Sequence, residues 1–448
     1  MNTSICILSL ATMGIGGKAS AATPVSQKPN VIFILADDMA IGDISYYNHG
    51  ITDTSNIDKL IEDGVVFSQA YSSAPVSAPA RASLLTGLYP HATGCVTLNL
   101  QRYPELTRIK KSVPTLADVF RDNGYVTGLV GKWHCGIGEG YHPLDRGFDV
   151  FEGYHGFDLK TYNDYYINIG KKKKRVTNLY LTDDLSERAI QFVRKYKDRP
   201  FFLHLAHSAP HVPLGAPEEV IKKYLDKGID RDVATIYAMV EVMDRGIGEL
   251  VQELKQLDLW ENTIVVFSSD NGPDPSFKGR YNMEHKGAKY TVNEGGIHVP
   301  FVLTWGDVYK KKVDSLIHFT DVLPTLVELC QLNDTIIDKR DGISFANYIV
   351  NKKENAAGLF PHFWQWNRGV PFYSHNAAVR LGEWKLVRPY ITNSLVFEES
   401  VQRPELYNIQ KDPAESVDVS DDNPIIYNNL RVLLEQWSRE VENRRLNY

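Results

Sequence analysis

The sequence predicts an α/β protein: a large mixed, mainly parallel sheet sandwiched by helices, followed by a smaller α+β subdomain with a short antiparallel sheet. Two observations carry this prediction. Short, apolar, β-rich runs alternate with helical patterns through most of the 448 residues, as in sheets whose strands are joined by crossover helices. After about residue 350 the chain becomes aromatic and rich in Pro and Asn, which indicates a second, smaller unit.

The predicted strands are nearly continuous apolar runs, as expected for strands that are buried on both faces of a sheet. The first is Asn30 to Leu35. The comparable runs are residues 125–130, 201–206, 263–268 and 300–305.

Helical patterns lie between these strands. Ser112 precedes Val113-Pro114 and is expected to cap a helix that Gly124 ends. A second helix is expected to begin near residue 182. A third runs from about residue 232 to 257, with an apolar stripe at helical spacing that indicates core.

The C-terminal part predicts a tight hairpin over residues 377–387 and a closing helix over residues 423–443. We therefore expect a main domain at residues 28–350 and a subdomain at residues 351–448. The basic run Lys171 to Arg175 favours a solvated hairpin tip over a polysaccharide-binding patch.

The N-terminal residues 1–22 predict a signal peptide, because the apolar stretch Ile5 to Gly16 precedes the small residues Ala19 to Ala22. No positive charge precedes the apolar stretch, so a disordered leader is the alternative. Export would place the protein in the periplasm or outside the cell. No later apolar run approaches the roughly 20 residues of a membrane helix, and no membrane span is expected.

The composition limits the classes of partner and site. The net charge is −6, from 49 basic and 55 acidic residues, which gives no general attraction to nucleic acid. An anionic substrate must therefore be bound by a local cationic pocket. The four cysteines include no CxxC pair, which excludes a thiolate zinc site of the usual spacing and leaves one disulfide possible.

Polar clusters follow four of the predicted strands. They are Asp37-Asp38, Lys132-Trp133-His134, His207 to His211, and Asp270-Asn271-Gly272. In open α/β sheets, ligands bind beyond the carboxyl ends of the strands. All four clusters are expected at that edge, which indicates a catalytic centre.

Asp37, Asp38, Asp270 and Asn271 offer only oxygen ligands, which suit Ca²⁺ or Mg²⁺ better than zinc. The alternative is that the two adjacent aspartates cap a helix. Adjacent carboxylates at the end of a buried strand repel each other unless a cation neutralises them, which favours the metal site.

Positive or proton-donating groups accompany this oxygen cluster. They are Arg81, Lys132, His134, His211 and Lys289. Together they predict a pocket for a compact oxyanion, sulfate or phosphate. His211 lies between Pro210 and Pro213, which restrict the loop that presents it.

Five motifs follow one another in order between residues 30 and 424. They are Ser77-Ala78-Pro79-Ala80-Arg81 with Leu85-Thr86-Gly87, Gly131-Lys132-Trp133-His134, Asp270-Asn271-Gly272, Lys289 before Glu294-Gly295-Gly296, and Glu405-Leu406-Tyr407-Asn408 with Asp412-Pro413. Together they resemble the motifs of type I sulfatases, the formylglycine-dependent family of the alkaline phosphatase-like superfamily. The resemblance implies the alkaline phosphatase-like fold and hydrolysis of sulfate esters.

The resemblance also implies roles for single residues. Ser77 would be oxidised to formylglycine, whose hydrate attacks sulfur with one hydroxyl and expels sulfate through the other. Arg81 would stabilise that hydrate. The ligands of the calcium ion would be Asp37, Asp38, Asp270, Asn271 and the residue-77 side chain.

The remaining implied roles concern the substrate. Lys132, Lys289 and His211 would contact the sulfate group. His211 would protonate the leaving alcohol, and His134 would act as the base that releases sulfate.

Two features depart from the common pattern of the family. The precursor is Ser77 instead of cysteine, which implies a serine-type radical maturating enzyme as a partner. His298 stands where many relatives carry arginine, and either a repacked loop or an altered pocket rim would explain it.

Two other functions remain open at this stage. One is a phosphate-ester hydrolase of the same superfamily, although the second-metal histidine is replaced by Asn271. The other is a sulfated-glycan-binding protein in which Ser77 is never oxidised.

The expected substrate is a sulfated glycan, with a galactose or N-acetylgalactosamine sulfate favoured over a simple aryl sulfate. The segment Trp364, Trp366, Asn367 and Arg368 is either a sugar-stacking wall or subdomain core.

Overall fold

A computed structural model describes residues 28–98, 100–156, 159–350, 360–389 and 400–447. The predicted signal peptide, residues 1–22, lies outside the described residues. None of the helices in the described ranges is both long and apolar enough to cross a membrane.

The main sheet has ten strands in the order β10-β2-β9-β8-β1-β7-β3-β4-β5-β6. The strands are β1 (Asn30–Ala36), β2 (Val65–Tyr71), β3 (Val126–Lys132), β4 (Val150–Tyr154), β5 (Asp164–Ile169), β6 (Lys172–Thr177), β7 (Phe201–Ala206), β8 (Thr263–Ser269), β9 (Phe301–Trp305) and β10 (Lys311–His318). The central run β8-β1-β7-β3-β4 is parallel throughout. The prediction of a mainly parallel sheet is therefore confirmed.

Twelve helices are assigned within the described residues. They are α1 (Ser45–Asn48), α2 (Ser55–Asp63), α3 (Ser77–Thr86), α4 (Pro90–Thr93), α5 (Leu116–Asp122), α6 (Leu181–Tyr196), α7 (Glu218–Leu225), α8 (Arg231–Gln256), α9 (Glu294–Ile297), α10 (Phe319–Leu329), α11 (Ala346–Val350) and α12 (Pro424–Asn447). Short 3₁₀ turns lie at Ile41–Asp43, Pro104–Leu106, Pro143–Asp145, Trp260–Asn262 and Ile337–Lys339.

The sheet is buried on both faces, as the apolar strands predict. Along β1, Val31 and Phe33 pack into one hydrophobic core with α3, α5 and α10. Ile32 and Ile34 pack into a second core with α2, α6, α7 and α8. Alternate residues of one strand point to opposite faces, so a continuous apolar run supplies both cores.

The predicted cap of α5 was wrong. The helix begins at Leu116, and Thr115 accepts a hydrogen bond from the Asp118 backbone N–H while Asp118 accepts one from the Thr115 backbone N–H. This reciprocal capping box satisfies two backbone donors at once. Ser112 lies before Pro114 and outside the helix.

A second sheet lies in the C-terminal part of the chain. It is antiparallel, with β11 (His362–Gln365), β12 (Ala377–Leu381), β13 (Trp384–Arg388) and β14 (Glu405–Asn408) in sequential order. The predicted hairpin is the β12–β13 pair, and the predicted closing helix is α12. The division at residue 350 stays a prediction.

A buried ion cluster joins the two sheets. Lys385 of β13 is fully buried and donates to Glu294 at 2.7 Å, and it lies 3.0 Å from Glu415. Tyr71 of β2 donates to the same Glu294 at 2.6 Å. The loop that follows Lys289 is thus bound to both sheets.

The structure also places the basic run, the tryptophans and three of the cysteines. The basic run lies in the β5–β6 hairpin, with Lys171 in the turn and Lys172 to Arg175 exposed on the edge strand. Trp364 and Trp366 are buried, so they belong to core and form no sugar-stacking wall. Cys95, Cys135 and Cys330 are free and buried, and Cys6 lies outside the described residues.

Candidate active site

The four polar clusters meet at the carboxyl edge of the parallel strands. Asp37 and Asp38 follow β1, Lys132 ends β3, the loop to His211 follows β7, and Asp270 follows β8. These four strands are neighbours in the sheet. The convergence that the sequence predicts is therefore present.

The backbone continues its hydrogen bonding beyond the strand ends. The Asp37 N–H donates to the Ala209 carbonyl, and the Asp270 N–H donates to the Ala36 carbonyl, each at 3.1 Å. Asp38 and His134 then take left-handed backbone conformations, with φ of 62° and 55°. A positive φ is uncommon for non-glycine residues, and here the sharp turns end the strands at the site.

Ser77 lies at the first position of α3, the helix end that carries partial positive charge. Its hydroxyl donates to Asp37 Oδ1 at 3.0 Å and lies 3.4 Å from Asn271 Oδ1. The residue is 2% exposed. Ser77 is therefore held between two predicted metal ligands, at an end of a helix that favours negative charge.

Arg81 lies one helical turn after Ser77. Its Nε donates to Asp270 Oδ2 at 2.9 Å, and its terminal nitrogen lies 3.6 Å from Asp37 Oδ1. All ten residues of α3 are buried. The guanidinium thus bridges two strand ends from a rigid position.

Two lysines and a histidine complete the centre. Lys132 pairs with Asp37, and Lys289 donates to Asp38 Oδ2 at 2.6 Å. His211 Nε2 lies 3.2 Å from Lys289 Nζ and 3.5 Å from Asp38 Oδ2. The arrangement places three positive or proton-donating groups around one carboxylate pair.

Burial and the neighbouring charges shift the pKa values of the groups in this site. Burial raises the pKa of Asp37, but Lys132, His211 and Arg81 together hold it well below its usual range. Burial raises the pKa of Asp270 to about 6, with repulsion from Asp37 adding to the shift. Burial, then Lys132 and Arg81, lower the pKa of His134, so its imidazole is neutral at neutral pH.

The donor set fits a hard cation. Asp37, Asp38 and His211 each present a ligand atom within 4.8 Å of the others. Asp270 is not in that group; its Oδ2 pairs with Arg81 at 2.8 Å, and its Oδ1 accepts a hydrogen bond from the Asp38 N–H at 3.1 Å. The oxygen atoms of Asp37, Asp38, Asp270 and Asn271 could hold Ca²⁺ or Mg²⁺ beside Ser77.

The family model named Sulfatase matches residues 29–332. The chain belongs to the sulfatase family. A second model, N-sulphoglucosamine sulphohydrolase, C-terminal, matches residues 286–442 of this sulfatase. The protein is accordingly a sulfuric ester hydrolase.

Several relatives resemble the sulfatase over most of its length. An N-acetylgalactosamine-6-O-sulfatase of Bacteroides thetaiotaomicron is 27% identical, covering 92% of this chain and 93% of its own. An uncharacterized sulfatase of Escherichia coli K12, YdeN, is 30% identical over 73% of this chain and 67% of its own. The crystal structure of Ps i-CgsB in complex with k-i-k-neocarrahexaose is 31% identical, with a TM-score of 0.81, over 92% of this chain and 93% of that one.

The structure shows the contacts of His298, where many relatives carry arginine. The ring stacks on Tyr71 at 4.9 Å with an interplanar angle of 19°, and its Nε2 bonds the Ser68 carbonyl oxygen at 3.0 Å. Its Nδ1 lies 3.7 Å from Glu294, within the buried ion cluster. In the sulfatase these contacts hold His298 against β2 and the buried ion cluster.

One residue near the predicted metal ligands carries no sequence signal. The Arg280 side chain is buried, pairs with Asp43 and donates to the Asp38 carbonyl at 2.8 Å. In the sequence, a lone arginine in a long loop cannot be told from a surface arginine. Only the folded loop brings Arg280 into contact with the Asp38 backbone.

Proposed function

We propose that this sulfatase hydrolyses O-sulfate esters of carbohydrates, using a formylglycine made from Ser77 and a bound Ca²⁺. The observation that carries the proposal is the position of Ser77, at the N-terminus of α3, between Asp37 and Asn271 and beside Arg81. Formylglycine would supply the sulfur-attacking hydroxyl, and Ca²⁺, with Mg²⁺ as the alternative, would stabilise charge on the oxygens around it.

The chain's own residues then bind and orient the sulfate group. In this proposal Lys132 and Lys289 leave their carboxylate partners in part and contact sulfate oxygens, where charge develops in the transition state. Arg81 orients the residue-77 side chain. Asp37, Asp38, Asp270 and Asn271, with the residue-77 oxygen, hold the metal.

Two histidines would move the protons. His211 Nε2 faces Lys289 and would protonate the leaving oxygen of the sugar. His134 would take the proton whose loss accompanies sulfate release, and its lowered pKa keeps its imidazole in the neutral form that this role requires.

A galactose or N-acetylgalactosamine sulfate is the proposed substrate. Support comes from the Bacteroides relative named N-acetylgalactosamine-6-O-sulfatase and from the structural relative crystallised with k-i-k-neocarrahexaose. The proposal includes a serine-type radical maturating enzyme as a partner, and export to the periplasm or the medium through residues 1–22.

The deciding experiment is co-expression with such a maturating enzyme, followed by peptide mass spectrometry at Ser77 and sulfate-release assays on a panel of sulfated sugars. We expect a loss of two hydrogens at Ser77 and sulfate release that falls to background in Ser77→Ala.

Two results would contradict the proposal. Full oxidation of Ser77 with turnover of phosphate esters alone would favour the phosphatase alternative. Tight binding of sulfated sugars by an enzyme whose Ser77 stays unmodified and inactive, despite the maturating enzyme, would favour the glycan-binding alternative.

A further inference from the structure

Arg368, which lies outside the candidate active site, is close to the same tyrosine ring as Lys289. Lys289 Nζ lies 5.6 Å from the centroid of the Tyr290 ring, and the Arg368 guanidinium carbon lies 4.8 Å from the same centroid. Arg368 is half-buried. A second positive charge therefore stands beside the proposed sulfate pocket, one aromatic ring away from Lys289.

Hydrogen bonds from Asn376 hold the segment of Arg368 next to the loop of Lys289. The buried Asn376 side chain donates to the Tyr290 carbonyl at 2.7 Å and to the Trp366 carbonyl at 2.8 Å. The Tyr290 and Trp366 rings lie 5.6 Å apart. Asn376 thus ties the loop that carries Lys289 to the segment that carries Arg368.

Arg368 differs from two other arginines in the C-terminal part of the chain in its ion pairing. Arg403 pairs with Asp421, and Arg388 lies 3.9 Å from Glu435. Among the described residues no carboxylate lies within ion-pairing distance of Arg368, whose assigned contacts are the Tyr290 and Trp366 rings. A planar guanidinium that is stacked and unpaired presents its N–H groups to an incoming anion.

We propose that Arg368 and Tyr290 form a second anion subsite, which binds a sulfate or carboxylate group on the sugar next to the ester that is cleaved. This inference rests on the proposed function. The Tyr290 ring offers a face to the sugar, and Arg368 offers two parallel N–H donors to the anionic group. The subsite makes the enzyme selective for substrates with two anionic groups.

The test uses disaccharides that share one sulfated sugar and differ only in the neighbouring sugar, which carries no charge, a carboxylate or a second sulfate. They are built on galactose 6-sulfate and on N-acetylgalactosamine 6-sulfate. Binding is measured by calorimetry to Ser77→Ala and to Ser77→Ala with Arg368→Ala. Turnover is measured in the matured wild type and in Arg368→Ala.

We expect Arg368→Ala to weaken binding of the doubly anionic ligands by about tenfold to a hundredfold, the range for a hydrogen bond to a charged group. Binding of the neutral-neighbour ligand should stay within about twofold. Arg368→Lys should restore part of the affinity, because it keeps the charge and loses the planar pair of donors. Arg403→Ala is the matched control, since Arg403 also stacks on a tyrosine, at 5.1 Å from Tyr427.

The two proposals fail in different ways. Equal binding of all three ligands by Ser77→Ala and by the double variant overturns the subsite, whatever the turnover. Lack of binding by Ser77→Ala overturns it as well. A matured wild type that releases no sulfate, yet shows the selective loss of binding on Arg368→Ala, would contradict the proposed function and support the subsite. Preference for the carboxylate or for the second sulfate identifies the natural neighbour.

Discussion

At the scale of single residues, His211 shows how a hydrogen bond decides a chemical role. Its Nδ1 lies 2.6 Å from the Val212 carbonyl oxygen. A carbonyl oxygen only accepts, so Nδ1 carries a hydrogen and Nε2 faces Lys289 and Asp38. Because Nδ1–H is bound to that carbonyl, Nε2 is the ring nitrogen left to exchange a proton with a substrate.

We predict that His211→Ala lowers kcat on sugar sulfates by about 10²- to 10⁴-fold, the range for loss of a general acid. Turnover of nitrophenyl sulfate should fall far less, because nitrophenolate leaves without a proton. Parallel kcat measurements on the two substrates test this, with the exposed His49→Asn as control. Equal losses on both substrates would rule out His211 as the proton donor.

At the scale of elements, the site depends on the close approach of two backbone segments. The Gly272 N–H, just after β8, donates to the Gly296 carbonyl of α9 at 3.0 Å. A Cβ on Gly272 would lie 1.9 Å from the Gly295 carbonyl oxygen. Only glycine at position 272 lets the loop that carries Lys289 pack against the end of β8.

Gly272→Ala is therefore expected to push the Lys289 loop away from Asp270 and Asn271. Overpacking of this kind destabilises proteins by about 1–3 kcal/mol, and we expect sulfate release to fall at least about tenfold. Thermal unfolding and kcat/KM measure the two effects. Gly215→Ala is the control, since a Cβ there meets no atom within 4 Å. Wild-type activity in Gly272→Ala would show that the two segments need not touch.

At the scale of the whole molecule, the two sheets are joined through buried polar groups that must keep defined protonation states. His91 of α4 is buried, bonds Gln365 of β11 at 2.8 Å and packs edge-on against Trp437 of α12. Burial lowers the pKa of His91 to about 4, opposed by the Gln365 hydrogen bond and Glu442, while Arg445 lowers it further. The fold therefore prefers neutral His91.

This lowered pKa predicts a loss of stability in acid. In the unfolded chain His91 takes up a proton near pH 6.5, and in the folded chain only near pH 4. The contribution of neutral His91 to the free energy of unfolding is therefore complete above about pH 6.5. As the pH falls toward 4, this contribution decreases by about 3 kcal/mol. Urea unfolding across this range should show a smaller loss in His91→Gln, whereas His49→Asn should follow the wild type. If the unfolding free energy of His91→Gln fell with pH as steeply as that of the wild type, His91 would not be the group responsible.

Much of the architecture could be predicted from the sequence, because its signals are local. The apolar runs of β1 and β7 and the helical stripe of α8 each define an element within a few residues of its observed ends. The cap of α5 was missed because Ser112 and Thr115 both have capping chemistry. The sequence did carry the deciding signal, because Asp118 follows Thr115 at the capping-box spacing of three residues and no acidic residue follows Ser112 at that spacing.

The sequence by itself determined the sulfatase family, the sheet edge that carries the site, and the chemical types gathered there, since each lies in a short motif or at the end of a strand. The tertiary structure alone decided that Trp364 and Trp366 are core, that His298 packs on Tyr71, and that Arg280 and Arg368 lie beside the site. The physical reason is distance along the chain. Motifs record which groups follow one another, whereas burial, pairing and charge depend on segments that meet only after the two sheets have packed together.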